Sequence, residues 1–182
     1  FDEYFLIELY TPTGLNEFDS NAIYGGEESG RPKGVDKPGI RLWHVDGRLA
    51  YASRTGVDYV FDEYHVTTNP YIENAKVCEL MANSFNVPER ETITALSDYS
   101  ELFLVRNDRN VTYMPIDDDW MFNEECMFYK GDTFDINTFS KQFKKSKKGV
   151  EEALLNNGEE FRFNIKVESL SSESATISIT TY

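Results

Sequence analysis

The stretch "PGIRLWHVDGRLAY", from Pro38 to Tyr51, predicts a β-hairpin and with it the fold class. Its first part, "IRLWHV", has the branched and aromatic side chains typical of strands. Asp46-Gly47 is a frequent two-residue turn, because glycine accepts a positive φ angle and aspartate tolerates one. The segment "RLAYAS" is then expected to return antiparallel.

Polar residues interrupt this strand and its predicted neighbour. Alternation along the first strand places Leu42, His44 and Asp46 on one face. Glu8 interrupts the apolar strand "EYFLIELY" (Glu3–Tyr10) in the same way. A buried carboxylate needs a partner, since leaving it unpaired costs several kcal/mol. We therefore predict that Glu8 and His44 pair across neighbouring strands and that Asp46 caps the hairpin turn.

Two alternatives remain for Glu8, His44 and Asp46. Two carboxylates and one imidazole could bind a metal ion. The same residues could also contact a domain outside this segment. Structural pairing is favoured, because an isolated histidine in an apolar strand is more often a hydrogen-bonded core residue than a ligand.

The rest of the chain predicts a mainly β fold, an antiparallel β-sandwich with long loops and at most one or two short helices. Residues 1–182 are interpreted as a single β-sandwich domain cut from a longer chain. Residues 11–38, rich in Gly, Pro and Asn, predict a long polar loop within it. The segment "VEEALLNNG" predicts a short helix that ends at Gly158. Two alternating runs after it predict a terminal hairpin.

Charge and hydropathy bear on the partners. With 32 acidic and 18 basic residues the net charge is −14. Such a surface repels phosphate backbones, so no nucleic-acid partner is expected. The basic run at residues 141–148 is interpreted as a solvated face. No run approaches the ~18 apolar residues of a membrane span. Cys78 and Cys126 could form a disulfide or remain two buried thiols.

The sequence contains few residues or motifs that are typical of an active site. The chain has two histidines, His44 and His65, and no H-E-x-x-H zinc motif. We therefore expect no enzymatic activity and no cofactor in this chain. Consecutive aspartates could bind calcium, although a solvated turn is the preferred interpretation. Exposed tryptophans could stack on a ligand such as a sugar. The calcium candidates are Asp117, Asp118 and Asp119, and the ligand-contact candidates are Trp43 and Trp120.

Two motifs resemble secreted bacterial metallopeptidases of the immune-inhibitor-A type (peptidase family M-six). Members carry a strand of the form E-Y-F-L-I-E-N, a loop with an aromatic-aspartate pair, and then G-L-L-I-W-H-V-D. The matching segments here are "EYFLIE" at residues 3–8, Phe18-Asp19, and "GIRLWHVD" at residues 39–46. Leu9 and Tyr10 replace the asparagine and arginine that usually follow. Weaker similarity extends through "CMFYKGDTF" and the terminal hairpin, so the resemblance covers nearly the whole chain.

The resemblance implies a noncatalytic β-sandwich region, because the family's zinc helix precedes these motifs. Zinc is then expected only in an upstream catalytic domain, which this chain would pack on, support or help in substrate binding. The protein is expected to be secreted or at the cell surface. An extracellular glycan- or protein-binding module with no role in proteolysis is the alternative.

Overall fold

The structure, a computed structural model, describes residues 3–23, 34–47, 49–53, 66–67, 75–79, 102–109, 122–147 and 150–182. These residues are mainly strands in antiparallel sheets, which confirms the predicted fold class. The strands are β1 (Glu3–Tyr10), β2 (Gly39–Asp46), β3 (Leu49–Ser53), β4 (Val66–Thr67), β5 (Ala75–Glu79), β6 (Leu102–Val105), β7 (Thr133–Phe134), β8 (Lys144–Lys147), β9 (Val150–Ala153), β10 (Phe163–Leu170) and β11 (Ala175–Thr181).

The central sheet has the strand order β1-β2-β6. Strand β2 pairs antiparallel with β1 along its whole length, and Phe5 lies opposite His44 while Glu8 lies opposite Arg41. Its other edge pairs with β6. In the described part of the chain, β3 pairs with β4 and β5 instead. The predicted hairpin between β2 and β3 is therefore wrong, because both edges of β2 are already occupied.

A second sheet has the order β11-β10-β7. Its β10–β11 pair confirms the predicted terminal hairpin, and the connecting turn is closed by a 2.9 Å bond from Ser171 N to Ser174 O. The predicted helix before it is wrong. Residues Val150–Ala153 form β9, which pairs antiparallel with β8. Gly158 lies in a turn with φ of 81° rather than at a helix end.

Both sheets contribute to one hydrophobic core, as expected for a sandwich. The inner side chains of β1 pack against it, and Phe5 lies 5.3 Å from the ring of Phe134 and 5.9 Å from that of Phe143. Burial of each such ring contributes about 2 kcal/mol. The buried members of the core are Ile40, Leu42, Phe103, Val105, Phe128, Phe134, Ile136, Phe139, Phe143, Ile165 and Val167.

The segment predicted as a polar loop contains regular structure in its described part. A 3₁₀ turn at Gly14–Asn16 leads into helix α1 at Glu17–Asn21. The hydroxyl of Tyr10 donates a 2.9 Å bond to the carbonyl of Val35 and joins the two ends of the loop. Two further 3₁₀ turns lie at Glu124–Cys126 and Ser140–Gln142. Among the described helices, none has the length and hydropathy needed to cross a membrane.

Candidate functional site

His44 is held by a carboxylate that the sequence argument did not select. Its Nε2 atom lies 2.8 Å from Glu3 Oε1, and the two side chains are 4% and 3% exposed. Phe5 lies directly opposite His44 in the β1–β2 pair. Alternation along β1 places Glu3 on the same face as Phe5, so the Glu3 side chain can reach His44. The imidazole also packs against two aromatic rings, with 5.2 Å between its centroid and that of Phe5 and 5.8 Å between its centroid and that of Phe143. His44 is therefore enclosed by one carboxylate and two aromatic rings.

Glu3 also binds the turn that follows β9. Its carboxylate accepts backbone hydrogen bonds from Asn156 N at 2.6 Å and from Asn157 N at 2.9 Å. The Asn156 side chain donates in turn to Asp46 Oδ2 at 2.9 Å, and Asp46 is fully buried. Glu3, His44, Asp46 and Asn156 thus form one buried polar cluster. The cluster connects β1, β2 and a turn more than a hundred residues later in the sequence.

Glu8 belongs to the opposite face of the sheet. Its Oε1 atom lies 3.0 Å from Arg41 Nη2, and its Oε2 atom accepts a 2.8 Å hydrogen bond from Trp43 Nε1. The predicted pairing of Glu8 with His44 is therefore wrong. Glu8 and His44 differ in strand face, so the sheet itself separates their side chains. Glu8 does have a cationic partner, but that partner is Arg41.

Arg41 is surrounded by aromatic rings as well as by Glu8. Its guanidinium carbon lies 4.6 Å from the centroid of Tyr10, 5.2 Å from Phe122 and 5.9 Å from Trp43. Such cation–π contacts stabilise a partly desolvated guanidinium. Burial raises the pKa of Tyr10, and the nearby Arg41 charge opposes that rise. Trp43 is thus a half-buried member of this cluster with its indole N–H bonded to Glu8, not an open stacking platform.

The candidate metal ligands Glu8, His44 and Asp46 are not brought together. Glu8 contacts Arg41, His44 contacts Glu3, and Asp46 contacts Asn156. Within the described residues, no group of three or more His, Cys, Asp or Glu side chains is placed to hold a metal ion. The other candidates, Asp117, Asp118, Asp119 and Trp120, lie outside the described residues, as does His65.

Sequence reasoning missed Glu3, Asn156 and Arg41. A signal for Glu3 was present, because its alternation with Phe5 and Ile7 places it on the inner face of β1. Alternation along β2 places Arg41 on the face opposite to His44, but it does not indicate that Glu8 is its partner. Asn156 gave no signal, since it lies in a turn and its contact with Asp46 spans 110 positions of sequence. Such a contact follows only from the tertiary fold.

The described contacts of these residues link neighbouring segments of the fold. Each of the three predicted site residues contacts a group on a neighbouring segment, and His44 and Asp46 are buried within the sandwich. Buried, hydrogen-bonded polar networks fix a unique arrangement of the elements that carry them. Comparison with protein-family models, with curated proteins and with solved structures finds no match to this chain.

Proposed function

We propose that this chain is a noncatalytic β-sandwich domain of a secreted, immune-inhibitor-A-like metallopeptidase. It packs on or supports a catalytic domain encoded upstream and contributes to substrate binding. The two motifs that carry the resemblance form β1 and β2, the paired strands on which the central sheet depends. Zinc, on this proposal, belongs to the upstream domain alone.

The outer face of the central sheet is the observation that carries this proposal. The inner side chains of β1 pack on the core, whereas Tyr4 and Leu6 on the outer face remain 47% and 49% exposed. They lie opposite Val45 and Trp43 of β2, so the exposed side chains are adjacent on one surface. Adjacent exposed apolar side chains on a sheet are a candidate contact surface for another protein. We take it as the contact surface for the upstream domain.

The contacts of the polar residues support a structural rather than a catalytic role. Catalytic acids and bases must reach a substrate, and a general base has to lie within hydrogen-bond distance of the proton it removes. Glu3 and His44 instead lie inside the sandwich at 3% and 4% exposure and are bonded to each other. Their chemistry stabilises the fold that presents the outer face.

The first experiment reads the genomic open reading frame upstream of this segment. The proposal expects an H-E-x-x-H motif there, because the family's zinc helix precedes β1. A complete upstream frame without that motif would overturn the proposal. Zinc-dependent cleavage of casein by this chain alone would overturn it as well.

The second experiment measures binding of this chain to the separately expressed upstream polypeptide by isothermal titration calorimetry. Leu6→Gln removes apolar area from the outer face and is expected to weaken binding about tenfold. Ile179→Gln, at a 57% exposed position of β11, is the matched control and should bind like wild type. If both variants bind the upstream polypeptide as tightly as wild type does, the outer face is not the contact surface. Specific binding to a glycan array, without binding to the upstream polypeptide, supports the alternative module.

A further inference from the structure

The chain contains one Asn-Gly dipeptide, Asn157-Gly158, and it lies in the turn that follows β9. Asparagine before glycine is chemically labile, because the backbone nitrogen of the glycine can attack the side-chain carbonyl carbon of the asparagine. Glycine has no Cβ to hinder this approach. The Asn157 side chain is exposed, and Gly158 has the φ angle of 81° that a turn glycine adopts. The turn therefore carries both groups that this reaction joins.

Hydrogen bonds within the turn engage both reacting groups. Gly158 N donates a 3.0 Å bond to Leu155 O, and attack requires that nitrogen to lose the proton in this bond. The Asn157 side chain is held by Glu159, whose backbone N donates a 2.8 Å bond to Asn157 Oδ1 and whose Oε2 lies 3.3 Å from Asn157 Nδ2. A bond from Leu155 N to Glu159 O at 3.0 Å closes the turn. The reaction therefore requires the turn to open.

Glu3 anchors this turn to the interior of the domain. Its carboxylate accepts bonds from Asn156 N at 2.6 Å and from Asn157 N at 2.9 Å. The Glu3 side chain is 3% exposed and also contacts His44, so these bonds connect the turn to the buried polar cluster. Opening the turn gives up hydrogen bonds to a charged group, which are among the stronger ones in proteins. The free energy of that opening slows the reaction.

We propose that Asn157-Gly158 is a site of spontaneous deamidation and that Glu3 restrains the reaction while the chain is folded. Gly158 N loses its proton and forms a bond to Asn157 Cγ. The bond from Cγ to Nδ2 breaks, and the NH2 group takes up a proton from solvent and leaves as ammonia. Water then opens the cyclic imide, which leaves aspartate or isoaspartate at position 157. Water is the only co-reactant.

Either product weakens the turn that Glu3 holds. Isoaspartate adds a methylene group to the backbone after position 157, so Gly158 N and Leu155 O no longer align. Aspartate puts a carboxylate oxygen where Asn157 Nδ2 lies 3.3 Å from Glu159 Oε2, and two carboxylates at that distance repel each other. Deamidation therefore lowers the stability of the domain with time, and hydrolysis of the imide makes the loss irreversible.

The test compares deamidation of the folded chain with that of the chain unfolded in guanidinium chloride, at the same mildly alkaline pH. Peptide mapping by mass spectrometry, with fragmentation that distinguishes isoaspartate, measures the fraction modified at position 157. The folded wild type is expected to react about tenfold more slowly or less, because the turn must open first. Hydrogen exchange of the Asn157 and Gly158 amides should be slowed as well, since it requires the same opening.

Two variants separate the effect of Glu3 from that of global stability. Glu3→Gln should raise the rate in the folded chain about tenfold, because a charge-assisted bond to the turn is lost. The matched control is Val105→Ala, which removes both γ-methyl groups of a fully buried core residue and lowers stability without changing a contact of the turn. Val105→Ala should react like wild type while circular dichroism shows both variants to be folded. Deamidated wild type, separated by anion exchange, should unfold at a lower urea concentration than the unmodified chain.

Each other outcome overturns a stated part of the proposal. An unfolded chain that stays unmodified at position 157 excludes the site itself. Equal rates in the folded and unfolded chains, or a Glu3→Gln rate equal to that of wild type or of Val105→Ala, exclude restraint by Glu3. An unchanged urea midpoint after deamidation excludes the effect on stability. If Glu3→Gln does not fold, amide exchange in wild type decides, because unprotected Asn157 and Gly158 amides contradict the proposal and protected ones support it.

Discussion

Replacing Glu3 with glutamine tests whether the buried polar cluster stabilises the fold. The Glu3 carboxylate is 3% exposed and accepts bonds from His44 Nε2, Asn156 N and Asn157 N. Glutamine keeps the shape but has a single acceptor oxygen. Its amide can satisfy His44 and Asn156 only by directing its NH2 group at the N–H of Asn157. One charge-assisted bond is then lost, and two donors face each other.

The magnitude follows from these contacts. A hydrogen bond to a charged group contributes about 1.5–3 kcal/mol, so Glu3→Gln should lower the free energy of unfolding by about 1–3 kcal/mol. Glu3→Ala also leaves His44 and Asn156 N without this acceptor in a buried site, which should cost about 3–5 kcal/mol. The matched control is Glu8→Gln. The Glu8 side chain is 38% exposed, so we expect less than about 1 kcal/mol there.

Urea unfolding followed by circular dichroism measures these differences, and a double-mutant cycle assigns them. Glu3→Gln combined with His44→Leu should show a coupling free energy above about 1 kcal/mol, since the two side chains are in direct contact. Glu8→Gln combined with His44→Leu should be additive within about 0.5 kcal/mol, since the sheet separates them. Coupling of His44 to Glu8 rather than to Glu3 would refute the register on which the cluster depends.

Three other described residues, Tyr129, Cys126 and Glu168, give further predictions. Within the described part of the chain, the buried hydroxyl of Tyr129 has no hydrogen-bond partner, so Tyr129→Phe should raise the free energy of unfolding by about 1 kcal/mol. Burial also raises the pKa of Tyr129 above 10.0, so Tyr129 ionises at a lower pH in the unfolded chain than in the folded chain. The gain in free energy of unfolding from Tyr129→Phe, measured by urea unfolding, should therefore grow above pH 10. A gain that does not change with pH would contradict this. Burial raises the pKa of the Cys126 thiol. Mass spectrometry should therefore find this thiol unmodified by Ellman's reagent at pH 8 until the chain unfolds. Rapid modification of the folded chain would be inconsistent with the structure. Hydrogen bonds from Lys166 and, to a smaller extent, from Ser178 lower the pKa of Glu168. Ser178→Ala should therefore raise the pKa of Glu168 in an NMR titration. The part of the folding stability that depends on ionised Glu168 should be lost as the pH falls below 4.5.

Local patterns predicted much of the fold. Alternation identified β2 and the separation of Leu42, His44 and Asp46 from Arg41 and Trp43, and the burial of these residues follows it. The terminal hairpin was also predictable, because two alternating runs flank a serine-rich turn. Both features depend on neighbours within a few positions, where the period of two is decisive.

Register and strand order were not predictable from one sequence. Sliding β1 by one residue against β2 exchanges the two faces. Because β1 carries apolar side chains on both faces, its alternation alone gives only a weak indication of the register. The true register puts Glu8 opposite Arg41 and leaves Glu3 to contact His44. The Asp46-Gly47 turn signal was misleading, since β6 takes the edge of β2 that the hairpin required. The sequence at Val150–Ala153 has a helical pattern, yet antiparallel pairing with β8 makes this segment a strand.

The most direct test of the central claim, that the polar residues of β1 and β2 hold the scaffold together and bind no metal, is an NMR titration with zinc and with calcium. The chain has two histidines, so His65→Gln leaves the imidazole signals of His44 alone to be followed. We predict that those signals do not change with either metal, because His44 is 4% exposed and bonded to Glu3. A saturable shift of the His44 signals, lost with Glu3→Gln or Asp46→Asn, would contradict the account.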